Sequence, residues 1–182
     1  MRAIREFQNN IDTDVEENNA IGTQDLVEQN VVVAENSTGG SGNGRRKVTY
    51  YNNFVMVGYI EIPKINIKYP VLEEETVASL EQSVAIRYPS NATLNQIGNV
   101  VIAGHNYRNG QFFSKLKNVA VGDIVKITDS KGQTLVYTVY EVYQTTPEDT
   151  AYMTRDYGEN IEITLVTCTD DSKARIIVKA KV

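Results

Sequence analysis

The sequence places a thiol, an imidazole and a guanidinium at positions from which they could act together. The chain holds a single cysteine, Cys168, and a single histidine, His105. Each ends an apolar run, and Arg175 opens the next apolar run seven residues after the cysteine. A cysteine attacks a carbonyl carbon as the thiolate, which a nearby imidazolium favours, and a guanidinium can stabilise the resulting oxyanion. Together these three side chains would be sufficient for acyl transfer.

Short apolar or alternating segments separated by turn residues predict about eight β-strands after residue 54. We expect strands at Val55–Ile62, Ile65–Leu72, Val84–Arg87, Gly98–Gly104, Ile124–Thr128, Leu135–Gln144, Ile161–Cys168 and Arg175–Val182. Only short helical segments fit between them, at 76–82 and 111–116. Because no helix is long enough for a parallel crossover of the usual kind, the pattern predicts a mostly β fold, a small closed or nearly closed barrel. The thiol and the imidazole would then lie at strand ends, where a barrel presents residues to solvent or to a groove.

The first 54 residues differ from the rest in composition. Residues 1–40 carry eight Asp or Glu against two Arg, a net charge of −6, whereas the whole chain carries −5. Weak amphipathic patterns at 2–19 and 20–34 predict one or two short helices, and Ser37–Gly44 has the composition of a flexible linker. We therefore divide the chain into an N-terminal arm with a Gly/Ser linker, residues 1–54, and a catalytic barrel, residues 55–182.

Composition also argues against several classes of protein. The pI is near 5.0, so there is no basic footprint for nucleic acid. One cysteine and one histidine without ligand spacing argue against a metal centre, and no cofactor is predicted. The sequence contains no stretch of 18 apolar residues and no signal peptide, so we expect a soluble chain whose membrane attachment, if it has one, lies in a segment outside this sequence.

The residues alone leave a non-catalytic interpretation open. A cysteine at the end of an apolar strand is commonly a buried, unreactive side chain. The chain would then be a non-enzymatic extracellular β-domain, such as an adhesin or a carbohydrate-binding module. Other cysteine hydrolases fit less well, because papain-like enzymes place the cysteine before the histidine and caspase-like enzymes use an α/β sheet.

Two motifs carry a resemblance to a known family. Thr164-Leu-Val-Thr-Cys168, with Arg175 downstream, resembles the Thr-Leu-x-Thr-Cys and arginine signature of sortases, and Ala103-Gly-His-Asn106 is similar to that family's histidine motif. Further segments of the family follow in its order, at Gly58–Pro63, Asn99–His105, Phe113–Leu116, Val121–Asp123 and Tyr137–Val139. The resemblance covers roughly residues 55–182.

The resemblance implies an eight-stranded barrel and a cysteine transpeptidase at the outer face of a Gram-positive cell membrane. Cys168 would be the nucleophile, His105 the general acid and base, and Arg175 the residue that positions the substrate and stabilises the oxyanion. The enzyme would cut a C-terminal sorting signal of the Leu-Pro-x-Thr-Gly type in a surface protein. It would then transfer the thioacyl group to an amine of a peptidoglycan crossbridge or of a pilin.

The resemblance also implies residues that bind the substrate. We expect this role for Thr167, Ala103, Asn106 and Tyr152, and we expect residues 145–160 to form the wall that selects the signal. The stretch Gly104–Gly110 is closer to class B or class D enzymes than to pilin polymerases, and the chain lacks the Asp-Pro-aromatic lid that many pilin polymerases carry. The short loop at 145–160 favours a class D-like member, and a pilin-polymerising sortase remains the alternative.

Overall fold

The computed structural model describes residues 31–35, 47–154 and 156–182, and these residues form one mixed β-sheet. Its ten strands are β1 (Val31–Glu35), β2 (Lys47–Tyr51), β3 (Phe54–Ile62), β4 (Ile67–Leu72), β5 (Val84–Tyr88), β6 (Gly98–Ala103), β7 (Ile124–Asp129), β8 (Thr134–Thr145), β9 (Ile161–Cys168) and β10 (Arg175–Lys181). Short helical segments connect them: the helices α1 (Val77–Leu80) and α2 (Ala151–Thr154) and the 3-10 turns Pro63–Ile65 and Leu116–Asn118.

Eight of these strands close into a barrel. The order of the strands is β3-β4-β5-β6-β9-β10-β8-β7, and β7 returns to pair with β3. Each of the eight predicted strands is present within a few residues of its expected bounds. The predicted barrel is therefore confirmed. Two of the pairings are parallel, β4 with β5 and β6 with β9, and the others are antiparallel.

Alternation along the strands divides the buried side chains between two faces of the barrel wall. The main core fills the interior and includes Ile102, Phe113 and Leu165, each of which has no exposed surface. Each such side chain contributes about 1.5–3 kcal/mol by leaving water. A second, smaller cluster lies on the outer face of β6, β9 and β10, with the buried members Val101, Ala103, Tyr152, Val166 and Ile177. We call this second cluster the outer cluster.

The short helical segments were partly predicted. Helix α1 lies inside the predicted 76–82, and Thr76 caps it by accepting a hydrogen bond from the backbone N–H of Ser79. The second segment was expected at 111–116, but the 3-10 turn begins at Leu116, where that expected range ends. In the portion of the chain that the structure describes, no helix is both long and apolar enough to cross a membrane.

The described part of the arm forms strands and not helices. Strand β1 pairs antiparallel with β2, and β2 pairs with the first residues of β3. The helix predicted over 20–34 is therefore wrong for residues 31–34. The physical reason lies in the sequence Val31-Val32-Val33, because valine is a β-branched residue type that favours strands over helices. The helix predicted at 2–19 and the linker Ser37–Gly44 lie outside the described residues.

Gly58 lies where β3 changes its partner along one edge. Residues before it pair with β2, up to Met56 opposite Thr49, and Gly58 itself pairs with Asp129 of β7. A Cβ atom on Gly58 would overlap the carbonyl oxygen of Thr128 and would lie 2.7 Å from Cδ1 of Leu94. The barrel therefore closes through a position that has room only for a hydrogen atom.

We predict that Gly58→Ala lowers the free energy of unfolding by about 2–3 kcal/mol, because the added methyl group must push backbone apart. The control is Gly158→Ala, where φ is +57° and no atom lies within 4 Å of the new Cβ, so only the backbone conformation is penalised, by about 1 kcal/mol. Urea denaturation of both variants checks this. Equal losses in the two would contradict the steric explanation.

Candidate active site

Three neighbouring strands bring Cys168, His105 and Arg175 to the same level of the barrel. Cys168 ends β9, and Arg175 begins β10 as its direct antiparallel partner. Strand β6 runs parallel to β9 with Ala103 opposite Val166. The backbone N–H of Gly104 continues this ladder by donating to the carbonyl of Val166, at 3.1 Å. His105 therefore follows β6 at the level at which Cys168 ends β9.

The same alternation places these three side chains on the outer face. Val166, Ala103 and Ile177 belong to the outer cluster, and each lies two residues from one of the three. Residues two apart on a strand share a face. The thiol, the imidazole and the guanidinium therefore project outside the barrel, beside the apolar outer cluster.

The thiol and the imidazole are accessible. Both Cys168 and His105 are partly exposed, and no hydrogen bond from the described residues occupies the thiol or an imidazole nitrogen. The ring of Tyr107 lies against the imidazole, with the ring centroids 4.8 Å apart and an angle of 31° between the planes. Tyr107 covers one face of His105 and leaves its nitrogens available for proton transfer.

Only one nitrogen of the Arg175 guanidinium has a hydrogen-bond partner among the described residues. Its Nη1 donates to the carbonyl of Ala174 at 3.2 Å, with a longer contact of 3.5 Å to the carbonyl of Ser172. Within the described ranges, Nε and Nη2 have no hydrogen-bond partner. A guanidinium carries donors on all three nitrogens in a fixed fork. Arg175 can therefore direct the remaining donors at an oxygen beside Cys168.

Helix α2 packs on the outer cluster through Tyr152. The Tyr152 side chain lies in the outer cluster and is 2% exposed. Burial raises the pKa of its phenol, and the Glu75 carboxylate raises it further, although Arg87 and Arg175 lower it. Its carbonyl accepts a hydrogen bond of 3.1 Å from Nδ2 of Asn99, on β6. Tyr152 is thus a packed and neutral side chain of the outer cluster.

The four residues expected to bind substrate have different surroundings. Ala103 and Tyr152 belong to the outer cluster, as described above. Thr167 is 3% exposed, and its hydroxyl donates to the carbonyl of Gly104 at 2.7 Å, so it joins the ends of β9 and β6. The carboxamide of Asn106 donates to the carbonyl of Cys168 and to Asp170.

Sequence reasoning missed four residues around the site: Asn99, Tyr107, Lys117 and Asp170. Asn99 could have been found from the sequence, because it is a polar residue in an otherwise apolar strand. A buried amide in such a strand must have hydrogen-bond partners. Lys117 and Asp170 are partners 53 residues apart, and Tyr107 contacts His105 and Phe112 within its own loop, where no pattern in the sequence marks it. No cluster of three or more His, Cys, Asp or Glu that could hold a metal ion occurs in the described part of the chain.

Comparison with known proteins agrees with this arrangement. A family model described as Sortase domain matches residues 60–182, more than half of the chain, and the chain belongs to the sortase family. It is 29% identical over 131 residues to Sortase A of Staphylococcus aureus (strain NCTC 8325 / PS 47), covering 70% of this chain and 62% of that protein. It is 28% identical over 111 residues to Sortase D of Bacillus subtilis (strain 168), covering 61% of this chain and 53% of that protein.

A solved structure gives the same result. The Clostridium perfringens Sortase D5 transpeptidase aligns with a TM-score of 0.62 and 33% identity, over 69% of this chain and 78% of that chain. The chain spans less than two thirds of the length of the two curated relatives. The resemblance that the sequence showed to sortases is confirmed.

We predict that Asn99→Ala loosens α2, because the carbonyl of Tyr152 loses its donor. The amides of residues 151–154 should exchange with solvent at least about tenfold faster, which corresponds to 1.4 kcal/mol of opening free energy. Hydrogen–deuterium exchange measures this. Thr164→Val is the control, because it removes a hydroxyl that donates to Oδ1 of Asn99 at 2.8 Å and leaves the bond to Tyr152 in place. Similar exchange in the two variants would show that the Asn99–Tyr152 bond does not hold α2.

Proposed function

We propose that this chain is a cysteine transpeptidase that cuts a sorting signal and joins it to an amine. The observation that carries the proposal is the row of Cys168, His105 and Arg175 across three adjacent strands, on the outer face beside the apolar outer cluster. Membership of the sortase family supports the same reaction.

The reaction follows from the roles of these groups. Cys168 gives its proton to His105 and attacks the carbonyl carbon of the scissile peptide bond, and Arg175 stabilises the oxyanion of the tetrahedral intermediate. His105 returns the proton to the departing amine as the C–N bond breaks, which leaves a thioester. An incoming amine then attacks the thioester, loses its proton to His105, and releases the thiol with a new amide bond formed.

The outer face of β6 and β9 supports an extended peptide as the substrate. The outer cluster there is apolar and includes Ala103, Val166 and Tyr152, which are buried at 4%, 2% and 2% exposure. A signal of the Leu-Pro-x-Thr-Gly type would lie over this cluster, with the bond to be cut at Cys168. In this proposal Ala103 and Tyr152 support the surface that the signal contacts, whereas Thr167 and Asn106 act on the backbone of the site.

The partners and the location follow from the same proposal. The donor is a surface protein bearing the sorting signal, and the acceptor is an amine of a peptidoglycan crossbridge or of a pilin. The enzyme works at the outer face of a Gram-positive cell membrane. The short connection between β8 and β9 and the similarity to Sortase D proteins favour a class D-like member.

We predict that Cys168→Ala lowers the rate of cleavage of a fluorogenic sorting-signal peptide at least about a thousandfold, because no thioester can form. The variant should keep its melting temperature within a few degrees, since Cys168 is partly exposed at the end of β9 and makes no side-chain hydrogen bond to the described residues. Turnover above that level would mean that Cys168 is not the nucleophile.

We predict that Arg175→Lys slows acylation by about a hundredfold or more, because an ammonium keeps the charge but loses the planar fork of donors. Single-turnover kinetics with the same peptide measure the acylation step. The matched control is Arg87→Lys, a change in an arginine that pairs with Glu75 at 3.2 Å on β5. If Arg175→Lys acylates at the rate of the unmodified chain, Arg175 supplies only a general positive potential.

A further inference from the structure

The ladder between β6 and β9 stops short of His105 and Cys168. The last contacts that join β6 to β9 are the Gly104–Val166 backbone bond and the bond from the Thr167 hydroxyl to Gly104. Cys168 is still held by β10, where it pairs with Arg175, but His105 opens the loop 105–113 beyond the last pair of β6 with β9. Contacts between this loop and residues 168–174 therefore decide the position of His105 relative to Cys168.

Asn106 supplies such a contact directly. Its Nδ2 donates to the carbonyl oxygen of Cys168 at 2.9 Å and to Oδ1 of Asp170 at 2.9 Å. A side-chain amide has two N–H donors, and these bonds use both. Its Oδ1 accepts from the backbone N–H of Arg108 at 3.1 Å. The orientation of the carboxamide is thus determined, because its reversal would set Oδ1 against two acceptors.

Lys117 holds the carboxylate of Asp170 in place. Nζ of Lys117, in the turn that follows loop 105–113, lies 2.6 Å from Oδ2 of Asp170. The hydrogen bonds from Lys117 and from Asn106 hold the pKa of the Asp170 carboxyl below its usual value, so it accepts both bonds as the carboxylate at neutral pH. The side chains of Lys117 and Asp170 are about half exposed, at 49% and 51%, and such a pair adds little to global stability. Its effect is local.

The loop that carries Asn106 has its own anchor. The backbone N–H of Phe113 donates to the carbonyl of His105 at 3.1 Å, and Asn106 and Phe112 form an isolated β-bridge. The Phe113 ring is fully buried in the barrel and packs where Gly104 has no side chain. The base of the loop is therefore fixed to the core. The hydrogen bond from Asn106 to Cys168 then places Cys168 relative to that fixed base.

We propose that Asn106 is a positioning residue: its carboxamide holds the Cys168 carbonyl and so sets the thiol relative to the His105 imidazole, while Lys117 and Asp170 orient that carboxamide. The inference rests on the proposed transpeptidase function and adds a residue to it. Asn106 touches neither the thiol nor the imidazole, so its effect falls on the rate of the chemical step more than on peptide binding.

Asn106→Asp separates this role from a role in shaping the loop. An aspartate keeps the oxygen that accepts from the backbone N–H of Arg108, as asparagine and aspartate make the same local turn. It has no donor for Cys168 or Asp170 and places a carboxylate against both. A loop-shaping role predicts unchanged kinetics, whereas the positioning role predicts that kcat for the fluorogenic peptide falls about tenfold or more, with KM within about threefold.

Asn109→Asp is the matched control. It adds the same charge to the same loop and keeps the oxygen that accepts from the backbone N–H of Gln111, at 2.9 Å. Its kinetics should stay within about twofold of the unmodified chain. Asp170→Ala should lower kcat by about three- to tenfold, because Asn106 loses its orienting partner but keeps the bond to Cys168. Unchanged kcat in Asp170→Ala would overturn the bracing role.

A second measurement does not need peptide cleavage. Cys168 is the chain's single thiol, so its alkylation by iodoacetamide reports on this site alone. Asn106→Asp should change the alkylation rate about threefold or more relative to Asn109→Asp, with the melting temperatures of the two variants within a few degrees. Equal alkylation rates would overturn the positioning role, whether or not the chain cleaves a peptide. Failure of the unmodified chain to cleave any sorting peptide would overturn the proposed function instead.

Discussion

The parallel pairing of β6 with β9 is the contact on which the site depends. Parallel strands end at the same edge of a sheet, so the residues that follow β6 and those that end β9 meet although 63 positions separate His105 from Cys168. The register matters as much as the pairing. A slip of one residue would turn Cys168 toward the barrel interior, where Leu165 packs, and would leave His105 without its partner.

Buried polar side chains stabilise this register in a region that is otherwise apolar. Thr164 and Asn99 are 0% and 4% exposed, and the threonine hydroxyl donates to the asparagine carbonyl oxygen at 2.8 Å. Thr167 makes the corresponding link at the end of the ladder, to Gly104. An unpaired polar group in such a place costs about 1–3 kcal/mol. A shifted register would separate these partners, so the two threonines of the cysteine motif favour the one alignment that satisfies them.

Local features of the chain were predictable from the sequence, and long-range partners were not. Each barrel strand has its own apolar or alternating pattern, and the short connection from Cys168 to Arg175 already predicts that they pair. Nothing in a local pattern indicates that β3 contacts β7, or that Asn106 contacts Cys168 and Asp170 more than sixty residues away. The strand at Val31–Glu35 was missed because a weak amphipathic pattern was given more weight than three consecutive valines.

The site lies outside the barrel because the interior has no room for it. Ile102, Phe113 and Leu165 are fully buried there, and a packed core of this kind leaves no space for a peptide. The outer face offers the partly exposed row of Cys168, His105 and Arg175 beside the apolar outer cluster. The contacts among Asn106, Asp170 and Lys117 act on that row through the hydrogen bond from Asn106 to the carbonyl of Cys168. Changes in Asn106, Asp170 or Lys117 can therefore alter the geometry of Cys168 and His105 while the outer cluster stays intact.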